Sequence, residues 1–305
     1  MSTTQTAIDP RTVGGSDVAA ILGLDKYRGP MDVWLRVTGR VPPQEPNIAM
    51  RVGTRLEALV RELYSEQTGS KAVEWAEPVA LPEPWMRCNP DADVVEGPRA
   101  GRGLELKAVS IRQASAWEEP PPYYVAQCAW YRHWTGRPAW DLAALLGNEE
   151  LVVHTVEPMP EFEEFMVEEV RRFWRDHVVA DRPPAPSASE ASREWIRKTY
   201  PRELSEDLIQ ATPALEQTLE TLAKIRDHIA ELEGQKEALE QVVKAAIGNA
   251  SGIRWSGGTV TWKWENRRQV DWQGLARKLG ATEDLVAEFT KLQGLRVLRW
   301  KGGKR

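Results

Sequence analysis

The sequence predicts a mixed α/β (α+β) domain followed by a helical extension, and three observations carry that expectation. Helical stretches flank a compact group of strand-like segments that begins near Asp91 and ends near Val156. A proline-rich break, RPPAPS at 182–187, cannot continue the helix before it. Beyond the break a heptad-like seam takes over. The expected organisation is a domain over 1–182, a linker over 183–204 and a C-terminal region over 205–305 that is helical with a small β element.

GGSDVAAILG (14–23) reads as a Gly-rich turn leading into a short helix capped by Ser16 or Asp17. MDVWLRVTG (31–39) is a second helix, ended by Gly39. In 50–69, apolar residues at 52, 56, 59, 60 and 63 form a helical stripe with Glu57 beside it. Asp91 and Glu105 fall on two adjacent strands, and the Gly-rich stretch between them predicts a long hairpin loop. PPYYVAQCAWYRHWTG (121–136) is a helix opened by prolines and closed by Gly136. WDLAALLG and ELVVHTVEP are strands, and EFEEFMVEEVRRFWRDHVV (161–179) is another helix.

Thr212-Pro213 opens a long helical pattern in which Leu208, Leu215, Leu222, Ile229 and Val243 repeat at seven or fourteen, with Ile225, Leu232 and Leu239 three beyond. Thr218 and Lys236 interrupt the seam, which fits either a helical hairpin or oligomerisation. GGTVTWKWENRRQVDW (257–272) alternates like a hairpin strand, and 271–305 reads helix, helix, strand.

A chain of 305 residues with 42% apolar and 28% charged content is ordinary for a soluble globular protein. No apolar run approaches a membrane span, and the N-terminus lacks a positive start and an apolar core, so the expected location is the cytoplasm. Cys88 and Cys128 have no Cys or His at ligand spacing, and the four histidines share no metal spacing, which speaks against disulfide, zinc and iron–sulfur scaffolds. The net charge of −5 argues against coating nucleic acid by bulk electrostatics. From Arg254 onward, however, 12 Lys/Arg stand against 5 Asp/Glu, leaving −12 for the rest. There Trp255, Trp262, Trp264, Trp272 and Trp300 mix with Arg267, Arg268, Arg296, Arg299 and Lys301, as either a nucleic-acid grip or a small core with a basic rim.

The segment PDADVVEGPRAGRGLELK (90–107) carries the chemistry. Strand side chains alternate, so Glu105 and Lys107 share one face while Leu104, Leu106 and Ala108 point to a core. Phosphodiester hydrolysis needs a neutralised phosphate and an activated water, both of which bound Mg²⁺ (or Mn²⁺) supplies. Hard cations take oxygen ligands, here Asp91, Glu105, the Leu106 carbonyl and Glu57. Lys107 would either stabilise phosphate charge or, with a lowered pKa, help take the water's proton. Spacing alone leaves a plainer reading open: a solvated acid–base pair on an edge strand, with Glu57 merely pairing Arg61.

Four segments in order, VGGSDVAAILG (13–23), GTRLEALVRELYSEQTG (53–69), NPDADVV with LELK (89–107) and YYVAQCAWY (123–131), resemble the YqaJ-type viral recombinase family, lambda-exonuclease-like PD-(D/E)XK nucleases. The resemblance implies a restriction-endonuclease-like core with a mixed central sheet flanked by helices. It casts Asp91 as the PD aspartate, Glu105 and Lys107 as the (D/E)XK pair, Glu57 as the helix glutamate completing the metal site, and Gln127 as its supporting glutamine. Ser16, with Arg11 as partner, corresponds to a DNA 5′-phosphate contact, and Asn89 stands where relatives place a phosphate-binding serine. Ala92 and Asp93 depart from the usual PD-Gly, making Asp93 a competing ligand. The implied activity is Mg²⁺-dependent 5′-to-3′ digestion of duplex DNA from a free end for phage-type recombination, by a homo-oligomeric ring, commonly a trimer, working with a single-strand annealing protein in a phage- or prophage-bearing bacterial cell. The alternatives are an endonuclease on the same metal core and a non-catalytic DNA-binding recombination scaffold.

Overall fold

The computed structural model describes residues 11–42, 45, 47–76, 79–266, 269–290 and 297–299. It divides into two compact units, Met1–Pro201 and Arg202–Arg305. The first unit opens with helices α1 (Gly15–Ile21), α2 (Pro30–Val37) and α3 (Ile48–Thr68). Five strands follow, β1 (Lys71–Glu74), β2 (Ala92–Glu96), β3 (Gly103–Val109), β4 (Trp140–Leu146) and β5 (Glu150–Val156), and they pair in sequence order. Only β3 and β4 are parallel, so the sheet is mixed. A parallel pair needs a crossover, which α4 (Pro122–Thr135) supplies after a short 3₁₀ segment, Ile111–Trp117. Helix α5 (Pro160–Phe173) and a π-turn, Trp174–Val179, complete the core, and α6 (Glu190–Thr199) closes the unit.

The sheet is covered on both faces. Val60 and Tyr64 of α3 pack on Leu104, Leu106, Ala143 and Leu145. On the other side Cys128, Ala129, Trp130 and Tyr131 of α4 join Trp140, Leu142, Ala144, Leu146 and residues of α1, α2 and α5. Strand β4 is therefore buried at every position, which explains its unbroken apolar run.

Several expectations change. Ala108 is exposed rather than in the core, because β3 leaves the cover of α3 at its end. The predicted long hairpin loop is a short turn, 97–102, since β2 uses residues through Glu96; Gly97 and Gly101 bend it at φ +96° and +89°. At Gly97 a Cβ would meet the Gly69 carbonyl, so glycine is required there. The 183–204 segment, expected as a linker, carries α6: Trp195 packs edge-on against Trp34 at 5.8 Å, and the Ser187 hydroxyl donates to Asp32 at 2.8 Å. Strand β1 and the 3₁₀ segment are too short to stand out in the sequence, whereas α6 is amphipathic but follows the proline-rich break that suggested a linker.

In the second unit α7 (Pro213–Ile247) runs for 35 residues from an N-cap at Thr212, whose hydroxyl accepts from Leu215 N–H at 3.3 Å. Leu208 lies before the helix and leaves the seam. Strands β6 (Gly252–Trp255) and β7 (Gly258–Thr261) form a hairpin, followed by α8 (Trp272–Lys278) and α9 (Glu283–Phe289). Trp262, Trp264 and Trp272 are 52%, 90% and 71% exposed, so they build no core among the described residues. The expected final strand is not formed by residues 297–299, and Arg267, Arg268, Arg296, Trp300 and Lys301 lie outside the described residues. Among the described residues no helix is long and apolar enough to cross a membrane.

Candidate functional site

Pairing between β2 and β3 covers only Ala92↔Leu104 and Asp93↔Gly103. Beyond it the side chain of Asp91 takes over, its Oδ2 accepting the Leu106 N–H at 2.9 Å. A strand residue's N–H and C=O leave on the same side, so the Leu106 carbonyl also faces the Asp91 edge. Glu105 projects to the α4 face and is 1% exposed, so the solvated edge-strand reading of this pair does not hold. Burying a carboxylate costs several kcal/mol unless it is paired and hydrogen-bonded. Lys107 Nζ and Gln127 Nε2, the latter at 2.6 Å, both donate to Glu105 Oε1. Glu105 Oε2 is buried with no hydrogen-bond partner.

Helix periodicity sets the α4 contribution. Tyr124, Gln127 and Tyr131 share one face, with Gln127 Nε2 donating to Tyr131 Oη at 3.1 Å and Lys107 Nζ lying 5.0 Å from the Tyr124 ring centre. Glu57 comes from α3 and is half-buried. Its carboxyl is pushed up to about 7, first by burial and then by the Asp91 charge, against the pull of Lys107. Glu105 is pushed up by the same two causes in the same order, again against Lys107. Burial works against the Lys107 ammonium, but the Glu105 and Asp91 carboxylates outweigh it and raise its pKa. This direction favours the first of the two alternatives for Lys107, an ammonium that stabilises phosphate charge, over a base with a lowered pKa.

Three carboxyls facing one ammonium leave the cluster short of positive charge. Among the described residues no three Asp, Glu, His or Cys side chains already stand together at metal-ligand spacing. The donors are nevertheless all oxygens of the kind a hard divalent cation takes: the Asp91 carboxylate acts on both Glu105 and Glu57, and its Oδ2 is tied to the backbone of Leu106 at 2.9 Å.

Asp93, expected to compete as a ligand, is held through one oxygen by Arg137 at 2.5 Å, which lies 5.4 Å from the Trp75 ring centre, and its Oδ1 is buried without a partner. Ser16 is exposed in the first turn of α1, and its carbonyl accepts from the Arg28 guanidinium. Arg11 is exposed just before the Val13–Met86 bridge, and Asn89 is exposed two residues before Asp91.

A polar centre beside these residues escapes sequence reasoning. Asp17, 1% exposed, accepts from the Gly14 N–H at 3.0 Å and pairs with Arg36 at 2.8 Å, Arg87 at 3.4 Å and Arg28 at 3.5 Å. No local spacing announces it, since its arginines come from three segments. The Tyr124–Gln127–Tyr131 face, by contrast, was available from the helical period.

The fold and site define the class: a helix-flanked mixed sheet with an acid, an acid-x-lysine pair and a helix glutamine gathered around β3. A YqaJ-like viral recombinase domain model matches residues 7–138. The uncharacterized protein YqaJ of Bacillus subtilis is 30% identical over 245 residues, 78% of this chain and 76% of that protein. The chain belongs to the YqaJ-like viral recombinase family. Among solved structures, an alkaline exonuclease from Laribacter hongkongensis is similar at 21% identity and TM-score 0.44, covering 62% of this chain and 93% of the other. A phage-related exonuclease from Haemophilus somnus 129PT is similar at 12% identity and TM-score 0.41, covering 56% and 96%.

Proposed function

We propose that this protein is a divalent-metal-dependent deoxyribonuclease that digests one strand of duplex DNA from a free 5′ end, in the 5′-to-3′ direction, leaving single strand for phage-type recombination. The observation that carries the reading is Glu105, a buried carboxylate fixed by Lys107 and Gln127 through one oxygen while its other oxygen has no partner. What sets Glu105 apart from Asp93 and Glu83, each of which also has one buried oxygen without a partner, is the Asp91 carboxyl and the Lys107 ammonium beside it. Membership of a viral recombinase family agrees with a DNA substrate.

Asp91, Glu105, the Leu106 carbonyl and Glu57 would hold Mg²⁺ or Mn²⁺, which when bound neutralises phosphate charge and makes a bound water nucleophilic near neutral pH. Gln127 orients Glu105, and its own amide is steadied by Tyr131. Lys107, held as an ammonium, meets the negative charge that grows on the phosphate oxygens as the bond to the leaving oxygen breaks. Ser16, Arg11 and Asn89 are assigned to the DNA 5′-phosphate on the family resemblance. A homo-oligomeric ring, trimeric by that resemblance, and a single-strand annealing partner complete the reading, which places the protein in the cytoplasm of a phage- or prophage-bearing bacterium.

The test is digestion of linear duplex labelled at one 5′ end, with and without a 5′-phosphate and beside closed circular DNA, comparing the native protein with Lys107→Ala. Mg²⁺-dependent loss of linear DNA from the 5′ strand, by the native protein alone, is expected. Cutting of circles would replace the proposal with an endonuclease, and binding without cleavage with a scaffold.

A further inference from the structure

The wall beyond Lys107 is aromatic. The Tyr124 ring lies against the Lys107 ammonium, and Tyr123 continues from it at 4.4 Å between ring centres. Trp117 backs Tyr124 at 5.4 Å. Gln113, on the same 3₁₀ segment as Trp117, reaches Tyr27 Oη at 3.5 Å and so ties the outer ring to the inner ones. Tyr27 is 60% exposed, with the Lys26 ammonium 4.9 Å from its ring centre. The Gln113 contact to Tyr27 and the electrostatic reach of Lys26 and Asp25 to Tyr123 bring the loop close to the head of α4.

An exposed tyrosine is unremarked on most surfaces, but this one sits on a pinned turn. Asp25 Oδ1 accepts the N–H groups of Tyr27 at 2.8 Å and Arg28 at 3.3 Å, and Arg28 Nε donates to Asp25 Oδ2 at 3.1 Å. A turn fixed in advance presents its ring with less conformational freedom to lose on binding. Aromatic faces with cations at both ends suit a single strand, whose bases stack on rings while its phosphates follow the ammonium groups. A paired base inside a duplex offers no free face.

We propose that Tyr27, Tyr123 and Tyr124 form a stacking ledge for the unpaired nucleobase of the nucleotide next to the bond being cut. The ledge rests on the nuclease reading of the neighbouring site and adds a contact to the base, where that site handles only phosphate. It is blind to base identity, since every base has a stacking face.

The experiment compares two linear substrates whose 5′-terminal nucleotide is unpaired, one with a normal base and one abasic, cut by the native protein, Tyr27→Ala and Tyr27→Phe in Mg²⁺. The native protein should show a KM about fivefold or more higher on the abasic end, the low end of what one stacked base contributes. Tyr27→Ala should raise KM on the normal end by a similar factor and lose the discrimination, and Tyr27→Phe should keep it. Equal KM values for the two ends with native protein, or full discrimination by Tyr27→Ala, overturns the ledge while leaving the nuclease reading intact. No cleavage of either substrate by native protein overturns the nuclease reading and the ledge with it. Unchanged thermal melting of Tyr27→Ala excludes misfolding as the cause.

Discussion

Leu142 of β4 is fully buried in the unit Met1–Pro201, whereas Leu239 of α7 in the unit Arg202–Arg305 is 68% exposed, although both belong to regular apolar patterns. The same holds across each unit. Ile225, Ile229 and Leu232 on the α7 seam are about half exposed, and among the described residues of that unit only Ile247 is buried. A sheet strand finds its cover on helices of its own unit, while a heptad seam is completed only by another helix. Charge divides the units in the same way. Asp17, Glu105, Asp141 and Glu163 are buried acids of the first unit, whereas the ion pairs of α7, such as Lys236–Glu240 at 2.7 Å, are exposed i,i+4 pairs and contribute little to stability.

The four buried acids are not alike. Asp141 accepts from Tyr64, Thr155, Arg99 and Arg102, using both oxygens. Glu163 is gripped by Arg132 through both oxygens. Glu105 has a lysine, a glutamine and one idle oxygen. Asp141 and Glu163 are saturated and hold the fold together; in the proposed function Glu105, beside the Asp91 carboxyl, is the one placed for chemistry.

The largest effect that would break this comparison concerns Glu105. Glu105→Gln should lower kcat by about 10²-fold or more with thermal melting little changed, as read by single-turnover cleavage, whereas Lys107→Met should lower kcat as far and also lower the melting point, because the buried Glu105 carboxylate loses its cation. If Glu105→Gln cuts normally, the idle oxygen is only a packing imperfection. Asp141→Asn should leave the chemistry intact but destabilise the first unit by about 3 kcal/mol, because two arginines lose their buried counter-charge. Denaturant melts of the two variants side by side separate the two kinds of acid.

A third prediction concerns pH. Burial and Asp91 hold Glu57 at about 7, above its ordinary 4.5. Between those values the folded carboxyl keeps a proton that the unfolded one has released. Without metal, that contribution to stability is fully present below 4.5 and lost as pH rises through about 7. Metal needs the carboxylate, so Mg²⁺ affinity should move the other way, weakening about tenfold per pH unit below 7 for each proton displaced. Calorimetric titration at pH 6 and pH 8 in buffers of different ionisation heat reads both affinity and proton release, and a pH-independent affinity removes Glu57 from the shell. The smallest effect belongs to the second unit: Ile229→Gln should shift the melting of the first unit by less than about 0.5 kcal/mol, against about 2–5 for Leu142→Ala.

Much of the first unit was legible because its elements announce themselves locally. Gly39, Gly69 and Gly136 sit at positive φ just after α2, α3 and α4, and the prolines and apolar periods mark their starts and faces. Asp91, Glu105 and Lys107 stood out as an acid followed by an acid-x-lysine triplet. The second unit was less legible: a seam read from spacing includes Leu208, which the helix does not reach, and tryptophans alternating like a core strand are mostly exposed.

By itself the sequence determined which residues could do chemistry and on which local elements they lie, because periodicity, caps and motif spacing act over a few neighbouring positions. Only the tertiary structure decided that Gln127 reaches Glu105 across 22 positions, that Asp93 is claimed by Arg137 across 44, and that Arg87 meets Asp17 across 70. It also decided that one oxygen of Glu105 is buried without a partner. Burial and pairing are properties of what surrounds a group, and those surroundings come from segments distant in the chain.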